Sequence, residues 1–275
     1  MLLVSIINLF LKMQKVSIIV PIYKKENIIK ICVSKKLNIL DKICSKMGLD
    51  YELIAVIDGH LDNAKEKLEE IKHNKLQIYE YFYNRGKGFA VHFGMMKASG
   101  DYIGFIDSGL DLDPKCLWDL IGEIIKSNTH IVVGSKKHKE SKLVYPFKRR
   151  LFTKGYSIFG FCITGIKYDD TQVGAKIFSR ELVDKLLPRV LVKRFAFDIE
   201  LLAVAARLGY IKHTDIPVKI DFMQGQSDAV SIPSIFYMLK DTLAVGYRLK
   251  IIRYYDDKNQ KKWVESLYDL LKIEK

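Results

Sequence analysis

The sequence predicts an α/β fold: a mainly parallel sheet with helices on both faces, followed by amphipathic helices toward the C-terminal end. Three observations carry that reading. Short runs rich in Val and Ile alternate with stretches whose apolar residues recur at helical spacing. Those runs are apolar throughout, as strands buried between two helical layers must be. Finally, the chain has 275 residues, 49% of them apolar, with only 6 prolines and 17 glycines. That composition supplies one large core and excludes a fibrous or linker-dominated chain.

The elements follow in order. Val16-Ser-Ile-Ile-Val-Pro21 is a β-branched run stopped by proline, a buried strand. Ile28, Ile31, Leu37, Leu40 and Ile43 mark a helix within 25–47. Residues 51–57 form the next strand, halted by Asp58-Gly59, and a charged helix covers 63–72. Residues 76–81 are strand-like. Asn84-Arg-Gly-Lys-Gly88 then opens a helix to Lys97, in which Ala90, Gly94 and Ala98 offer a small face for close packing on a sheet. Residues 102–106 are a strand ending at Asp107. Asp113-Pro114 is a good helix start, with Asp as cap and Pro at the first position, for a helix to Lys126. Residues 130–133 are a strand ended by Gly134-Ser135. The basic stretch 136–150 reads as a loop. Val173, Ala175 and Ile177 alternate as in a strand, an apolar helix opens after Arg194, and helices resume from Ser231.

A sheet of this kind binds its ligand at the carboxyl ends of its strands. Tyr23, Glu26, Asp58, Asn84, Lys87, Asp107 and Asp111 are therefore expected to converge on one edge. Lys+Arg exceed Asp+Glu by 45 to 32, a formal charge of +13. That points to an anionic partner: nucleic acid, a membrane surface or a phosphorylated substrate. Cys32, Cys44, Cys116 and Cys162 form no CxxC pair and no zinc-ligand spacing with histidine, so they read as reduced thiols of a cytosolic protein. No run reaches the roughly 20 apolar residues that span a bilayer. Residues 1–13 are apolar but lack the basic start and cleavage site of a signal peptide, and read as an interfacial anchor or as a disordered or packed leader.

Several motifs carry chemistry. Asp107-Ser-Gly-Leu-Asp111-Leu-Asp113 crowds carboxylates that repel one another unless a cation lies between them. Carboxylate and phosphate oxygens together suit Mg²⁺ or Mn²⁺. Asp107 and Asp111 are thus read as ligands of a metal on a nucleoside diphosphate, and Asp113 as a helix cap. Gly86-Lys87-Gly88 is neither a Walker loop nor GxGxxG; its lysine either touches an anion at the helix start or lies solvated. Asp58-Gly59 either accepts bonds from a base or ribose, or makes a simple turn. Asp198 and Glu200 either serve the dipole of the helix they begin or present a carboxylate to a reacting sugar.

Taken together, Val-Pro-Ile-Tyr at 20–23 with Glu26-Asn27, Asp58-Gly59, Asn84-Arg-Gly-Lys-Gly88, Ala98-Ser-Gly-Asp-Tyr102, Phe105-Ile-Asp107 and Gly134-Ser135 resemble a family 2 glycosyltransferase of the GT-A, Rossmann-like fold. The resemblance covers about residues 15–222, leaving an apolar leader, 1–14, and a C-terminal helical segment, 223–275. Within the family the chain is most similar to the polyprenyl-phosphate branch: dolichyl-phosphate mannose synthases and dolichyl-phosphate β-glucosyltransferases. Asp170-Thr-Gln-Val-Gly-Ala-Lys-Ile-Phe178 and Phe195-Ala-Phe-Asp-Ile-Glu-Leu-Leu202 resemble the glucosyltransferases, Asp111-Leu-Asp-Pro114 the mannose synthases.

The resemblance implies roles. Pro21, Tyr23, Glu26 and Asp58 line the nucleotide pocket, with Lys87 beside it; Asp107 and Asp111 hold Mg²⁺ or Mn²⁺ on the diphosphate. Lys136, Arg149 and Thr153 meet the acceptor's phosphate, and Gln172 and Asp198 face the donor sugar. One departure stands out: the family's usual Asp-x-Asp has Gly109 in its second position, and Asp111 is expected to supply the missing charge. The implied activity is inverting transfer of a hexose from UDP-glucose or GDP-mannose to a polyprenyl or dolichyl phosphate. Asp107, Asp111, Asp198 and Arg149 are the catalytic set. A glycan hydroxyl as acceptor, and a degenerate nucleotide-sugar-binding protein, are the alternatives. A lipid acceptor implies peripheral attachment on the cytoplasmic face of an anionic membrane. Residues 231–255, which mix apolar with basic positions, serve that contact or pack on the domain. No nucleic-acid partner is expected, and the oligomeric state is left open.

Overall fold

The computed structural model describes residues 13–144, 147–168, 170–221 and 232–271, without the side chains of 147–151, 232 and 266–271. Its strands are β1 (Lys15–Ile22), β2 (Asp50–Asp58), β3 (Leu76–Tyr81), β4 (Tyr102–Ile106), β5 (Ile131–Ser135), β6 (Lys142–Val144), β7 (Ala175–Ser179), β8 (Thr214–Pro217) and β9 (Lys219–Asp221). Seven of them form one sheet in the order β3-β2-β1-β4-β7-β5-β8. Neighbours run parallel except β7, which is antiparallel to β4 and β5. β6 and β9 make a small parallel pair. Strand order reverses between β1 and β4. At such a switch point the connections leave on opposite faces and a crevice opens beyond the carboxyl ends.

The helices are α1 (Ile29–Met47), α2 (Ala64–Glu69), α3 (Lys87–Lys97), α4 (Cys116–Lys126), α5 (Phe147–Thr164), α6 (Arg180–Leu186), α7 (Phe197–Arg207) and α8 (Ile232–Gly246). A π-helix (Tyr247–Ile251), a 3₁₀ turn (Asp257–Asn259) and α9 (Gln260–Leu271) follow. Alternate residues of β1 feed two cores. Val16, Ile18 and Val20 pack with Leu37, Leu40, Leu117 and Leu120 from α1 and α4. Ile19 packs on the other face with Phe89, Phe93, Leu182 and Val204 from α3, α6 and α7. The small face of α3 does what its spacing suggests: a methyl on Gly94 would come within 2.6 Å of Ile19.

Two local expectations are corrected. The stretch 136–150 is not a loop throughout: it holds β6 and the first turn of α5. Its basic residues conceal a helix whose apolar spacing Gly155 and Gly160 interrupt. The helix expected at Pro114 begins at Cys116; Asp113 Oδ1 accepts from Lys115 N (3.0 Å) and shapes the turn before it. No described helix is long and apolar enough to cross a membrane.

Candidate active site

The crevice is built around Asp107, just past the end of β4. Its backbone N–H donates to Gly174 O (2.8 Å). A methyl on Gly174 would overlap the Asp107 carboxylate, so the absence of a side chain at 174 is what lets the carboxylate lie there. Lys87, the first residue of α3, reaches Asp107 Oδ1 at 2.7 Å and Asp198 Oδ2 at 3.7 Å. Asp198, in the first turn of α7, is buried and bonded at 2.5 Å to Lys176 on β7. Lys176 is wholly buried, and its ammonium also donates to Val173 O (2.6 Å). Both lysines lie against the Phe105 ring.

Opposite charges thus alternate in a row: Lys176, Asp198, Lys87, Asp107. Burial pushes the Asp198 carboxyl up, but the fields of Lys176 and Lys87 outweigh it and hold the group below the ordinary carboxylate range. Burial lowers Lys87, yet Asp107 and Asp198 more than offset this and raise it above a free lysine. Lys36, buried on α1, is drawn down by burial, opposed by fields that include those of Asp107 and Asp111.

The glycines flanking Lys87 serve packing. A methyl on Gly86, whose φ is +100°, would meet Lys193 O at 2.6 Å, and one on Gly88 would meet Phe197 Cβ at 2.5 Å. They let the 193–197 segment close over the start of α3, which brings Asp198 to Lys87.

Gly109 has a similar explanation. A methyl there would overlap Asp111 Oδ1, so the Asp111 carboxylate leans into the space that a side chain at 109 would use. The backbone fixes this posture: Asp221 N donates to Asp111 O (2.8 Å) and Asp113 N to Lys219 O (3.0 Å), tying the acidic loop to β9. Among the described residues no group of three or more His, Cys, Asp or Glu could hold a metal ion by itself. Asp107 and Asp111 nevertheless fit a hard divalent cation of the kind held by one or two carboxylates and completed by substrate phosphate oxygens. Lys87 already provides a positive charge at Asp107.

Asp58, buried at the end of β2, meets the protein's own donors. Oδ1 accepts from Tyr81 OH (2.8 Å) and Arg85 N (2.7 Å), Oδ2 from Asn84 Nδ2 and Gly86 N (2.9 Å each). It organises the loop that delivers Lys87. Burial, with Asp58 next, drives the Tyr81 phenol far above its usual value, so it remains a donor. Pro21 is buried at the end of β1 and Tyr23 stands 41% exposed beyond it. Glu26 Oε2 accepts from Asn63 N (3.0 Å) and Nδ2 (3.1 Å), joining the loops after β1 and β2.

At the far side, Lys136 Nζ pairs with Asp170 Oδ2 at 3.0 Å, and Asp170 Oδ1 accepts from Gln172 N (2.9 Å). The Gln172 side-chain Nε2 is buried and has no hydrogen-bond partner among the described residues. Lys136 contributes to the field on Asp198. Thr153 is half-buried on α5. The Arg149 side chain lies outside the described residues. Sequence reasoning missed Lys176, Asp170 and Gly174 as site residues. Lys176 carried a signal: a lysine flanked by Ala175 and Ile177 on a strand covered from both sides needs a buried counter-ion.

Residues 17–187 match the Glycosyl transferase family 2 domain. The chain belongs to glycosyl transferase family 2. It is 29% identical over 245 residues to a dolichyl-phosphate beta-glucosyltransferase of Dictyostelium discoideum, covering 84% of this chain and 74% of that one. The Homo sapiens protein of the same name is 30% identical over 251 residues, with 86% and 76% covered. Among solved structures, the chain is similar to mannosyl-3-phosphoglycerate synthase from Rubrobacter xylanophilus (TM-score 0.62, 14% identity, 86% of this chain and 75% of that one). It is also similar to glucosyl-3-phosphoglycerate synthase from Mycobacterium tuberculosis in complex with Mn²⁺, UDP and glucosyl-3-phosphoglycerate (TM-score 0.60, 18% identity, 85% and 79%). At these identities the structures establish the fold, GT-A. This family 2 member is a glycosyltransferase.

Proposed function

We propose that this glycosyltransferase moves a hexose, glucose ahead of mannose, from a nucleoside diphosphate sugar to a polyprenyl or dolichyl phosphate, with inversion at C1. The observation that carries the choice of acceptor is the state of Asp198. A sugar hydroxyl needs a base to take its proton. Asp198 is the candidate, and Lys176 and Lys87 hold it as a low-pKa carboxylate, a poor proton acceptor. Of the other carboxylates nearby, Asp107 is paired with Lys87 and Asp170 with Lys136. A phosphate monoester arrives already ionised at neutral pH and needs positioning rather than a base. The names of the relatives, dolichyl-phosphate beta-glucosyltransferases, support the same acceptor and favour glucose.

An acceptor phosphate oxygen attacks C1 as the bond from C1 to the diphosphate oxygen breaks. Asp107 and Asp111 would hold a Mg²⁺ or Mn²⁺ ion that, when bound, stabilises charge on the departing diphosphate. Lys87, paired with Asp107, would leave it and meet that charge. Asp58 keeps the loop of Lys87 in place, Tyr23 offers a ring to the base, and Glu26 and Pro21 shape the nucleotide pocket. Gln172 Nε2 donates to a donor-sugar hydroxyl. Lys136, Arg149 and Thr153 meet the acceptor phosphate, with Arg suited to bidentate contact. The lipid tail requires a membrane. Exposed Phe152 and Ile158 on α5, and Phe236 and Leu243 on α8, with Lys154 and Lys240 among them, favour peripheral attachment to an anionic cytoplasmic surface.

The test is incubation with radiolabelled UDP-glucose or GDP-mannose, Mn²⁺ or Mg²⁺, and polyprenyl phosphate, followed by organic extraction. Label from UDP-glucose in the organic phase is expected. Label that remains aqueous with every lipid phosphate, or that enters a glycan, overturns the proposal.

A further inference from the structure

The corner that follows α8 carries two backbone anomalies separated by a single residue. Tyr247–Ile251 is a π-helix, a rare geometry found often at functional sites. Arg253 has φ +48°, a left-handed conformation unfavourable for a residue with a side chain. The corner is locked from beneath. Arg248 donates to Glu200 Oε1 and to Tyr255 OH (2.9 Å each), and Tyr255 OH donates to Glu200 Oε1 (2.6 Å). Glu200 is fully buried, and its other oxygen accepts from Leu191 N and Val192 N. A strained corner held this firmly presents a fixed surface.

That surface surrounds a cavity of about 410 Å³ between the ends of α5 and α7 and the π-helix, with Ala203, Ala206 and Leu249 in its wall and Arg207, Lys250 and Arg253 as its cations. Asp256 engages Arg207 through both oxygens. Lys250 and Arg253 are exposed; among the described residues Lys250 donates to a backbone carbonyl, Cys162 O, at 3.5 Å. Beside them Tyr247, Ile251 and Ile252 stand 55%, 70% and 44% in solvent. Cations around a cavity, flanked by protruding aliphatic and aromatic side chains, combine the two attractions of an anionic bilayer surface: charge for its phosphates and apolar area for its acyl boundary.

We propose that this cavity binds the phosphate headgroup of an anionic phospholipid. Lys250 and Arg253 take the phosphate oxygens, and Ile251 and Ile252 enter the bilayer beside it. The inference rests on the lipid-phosphate reading above and adds a second, non-reacting lipid site to it. The placement has a use. Asp198 begins α7, and the cavity lies at residues 203–207 of the same helix, about 8–14 Å further along its axis. A headgroup held there sets the distance and tilt of the reacting site relative to the bilayer.

The experiment is flotation of the full chain with vesicles of phosphatidylcholine alone or with phosphatidylglycerol added, comparing wild type with Lys250→Ala/Arg253→Ala. A control, Lys35→Ala/Lys42→Ala, removes equal charge from the exposed side of α1. Melting temperatures establish that all three proteins are folded. The pocket variant is expected to lose about thirty-fold in partition onto anionic vesicles, near fivefold per cation, and the control much less. Equal losses in the two variants overturn the proposal. So does binding of inorganic phosphate at the corner, with no preference of the protein for anionic vesicles, since the site would then take a free anion. Transfer to a short, water-soluble polyprenyl phosphate is measured alongside. If it proceeds while vesicle binding is absent, the headgroup site falls and the transferase reading stands. If vesicle binding depends on Lys250 and Arg253 but no lipid phosphate accepts sugar, the transferase reading falls instead.

Discussion

The buried pair Lys176–Asp198 gives the sharpest quantitative expectation. At 2.5 Å, and with an effective dielectric of about 20, the Coulomb attraction is about 7 kcal/mol before the desolvation of either group is counted. Removing one partner of such a pair leaves a buried charge uncompensated, at about 3–5 kcal/mol. Lys176→Met keeps most of the side chain's length and removes its charge, so Lys87 at 3.7 Å becomes the nearest cation to Asp198 among the described residues. Asp198→Asn keeps the shape and leaves Lys176 without its carboxylate. Each is expected to lower the free energy of unfolding by about 3–5 kcal/mol. The double variant should lose far less than the sum, with a coupling of about 2 kcal/mol or more. Urea titration followed by circular dichroism measures all four corners of the cycle. Single losses below about 1 kcal/mol, or additive losses, refute the idea that the two groups hold each other, and with it the reason for proposing Asp198 as a poor proton acceptor.

Other expectations follow from neighbouring geometry. Gly174→Ala sets a methyl against the Asp107 carboxylate; turnover and Mn²⁺ affinity in the UDP complex should fall, about 10–100-fold for a displaced ligand, while urea titration registers a smaller change than for Lys176→Met. Because two carboxylates supply too few ligands for a hard cation, Mn²⁺ alone should bind weakly. UDP should tighten it roughly tenfold or more, and Mn²⁺ should tighten UDP by the same factor; electron paramagnetic resonance and calorimetry measure the two sides. His92 is buried on α3, and burial holds it down to about 4 from an ordinary 6.5. Its folded value lies below its unfolded one, so this stability is intact above pH 6.5 and is lost as pH falls through 6.5 toward 4. The full loss is about 3 kcal/mol, and His92→Phe should flatten that part of the stability profile by the same amount.

Much of the fold was legible because its code is short-range. Apolar runs gave the strands, and the polar residues that follow them gave the crevice edge: Asp58, Asp107 and Lys87 lie where alternation of strands and helices puts them. What escaped depends on pairing between distant segments. An apolar run does not record whether it runs parallel or antiparallel, so the reversal of β7 is not visible in Ala175–Ser179. Lys176 and Asp198 are 22 residues apart in sequence, and nothing local marks them as partners. Asp58-Gly59 reads as a turn or a ribose contact, while in the fold its carboxylate is taken by donors from 81–86. At Gly109 the sequence suggests a missing ligand. Only the three-dimensional arrangement reveals that Asp111 leans into that space. Helix α5 was hidden by its charge, since Lys148, Arg149 and Arg150 resemble a solvated loop until the helix is extended to Thr164.

The most direct test is the anomalous scattering of manganese in crystals grown with Mn²⁺ and UDP-glucose. The expected peak lies between the Asp107 and Asp111 carboxylates and the diphosphate oxygens, with Lys87 drawn away from Asp107 toward the ligand. A peak elsewhere, or a Lys87–Asp107 pair still closed beneath a bound donor, would contradict the proposed chemistry.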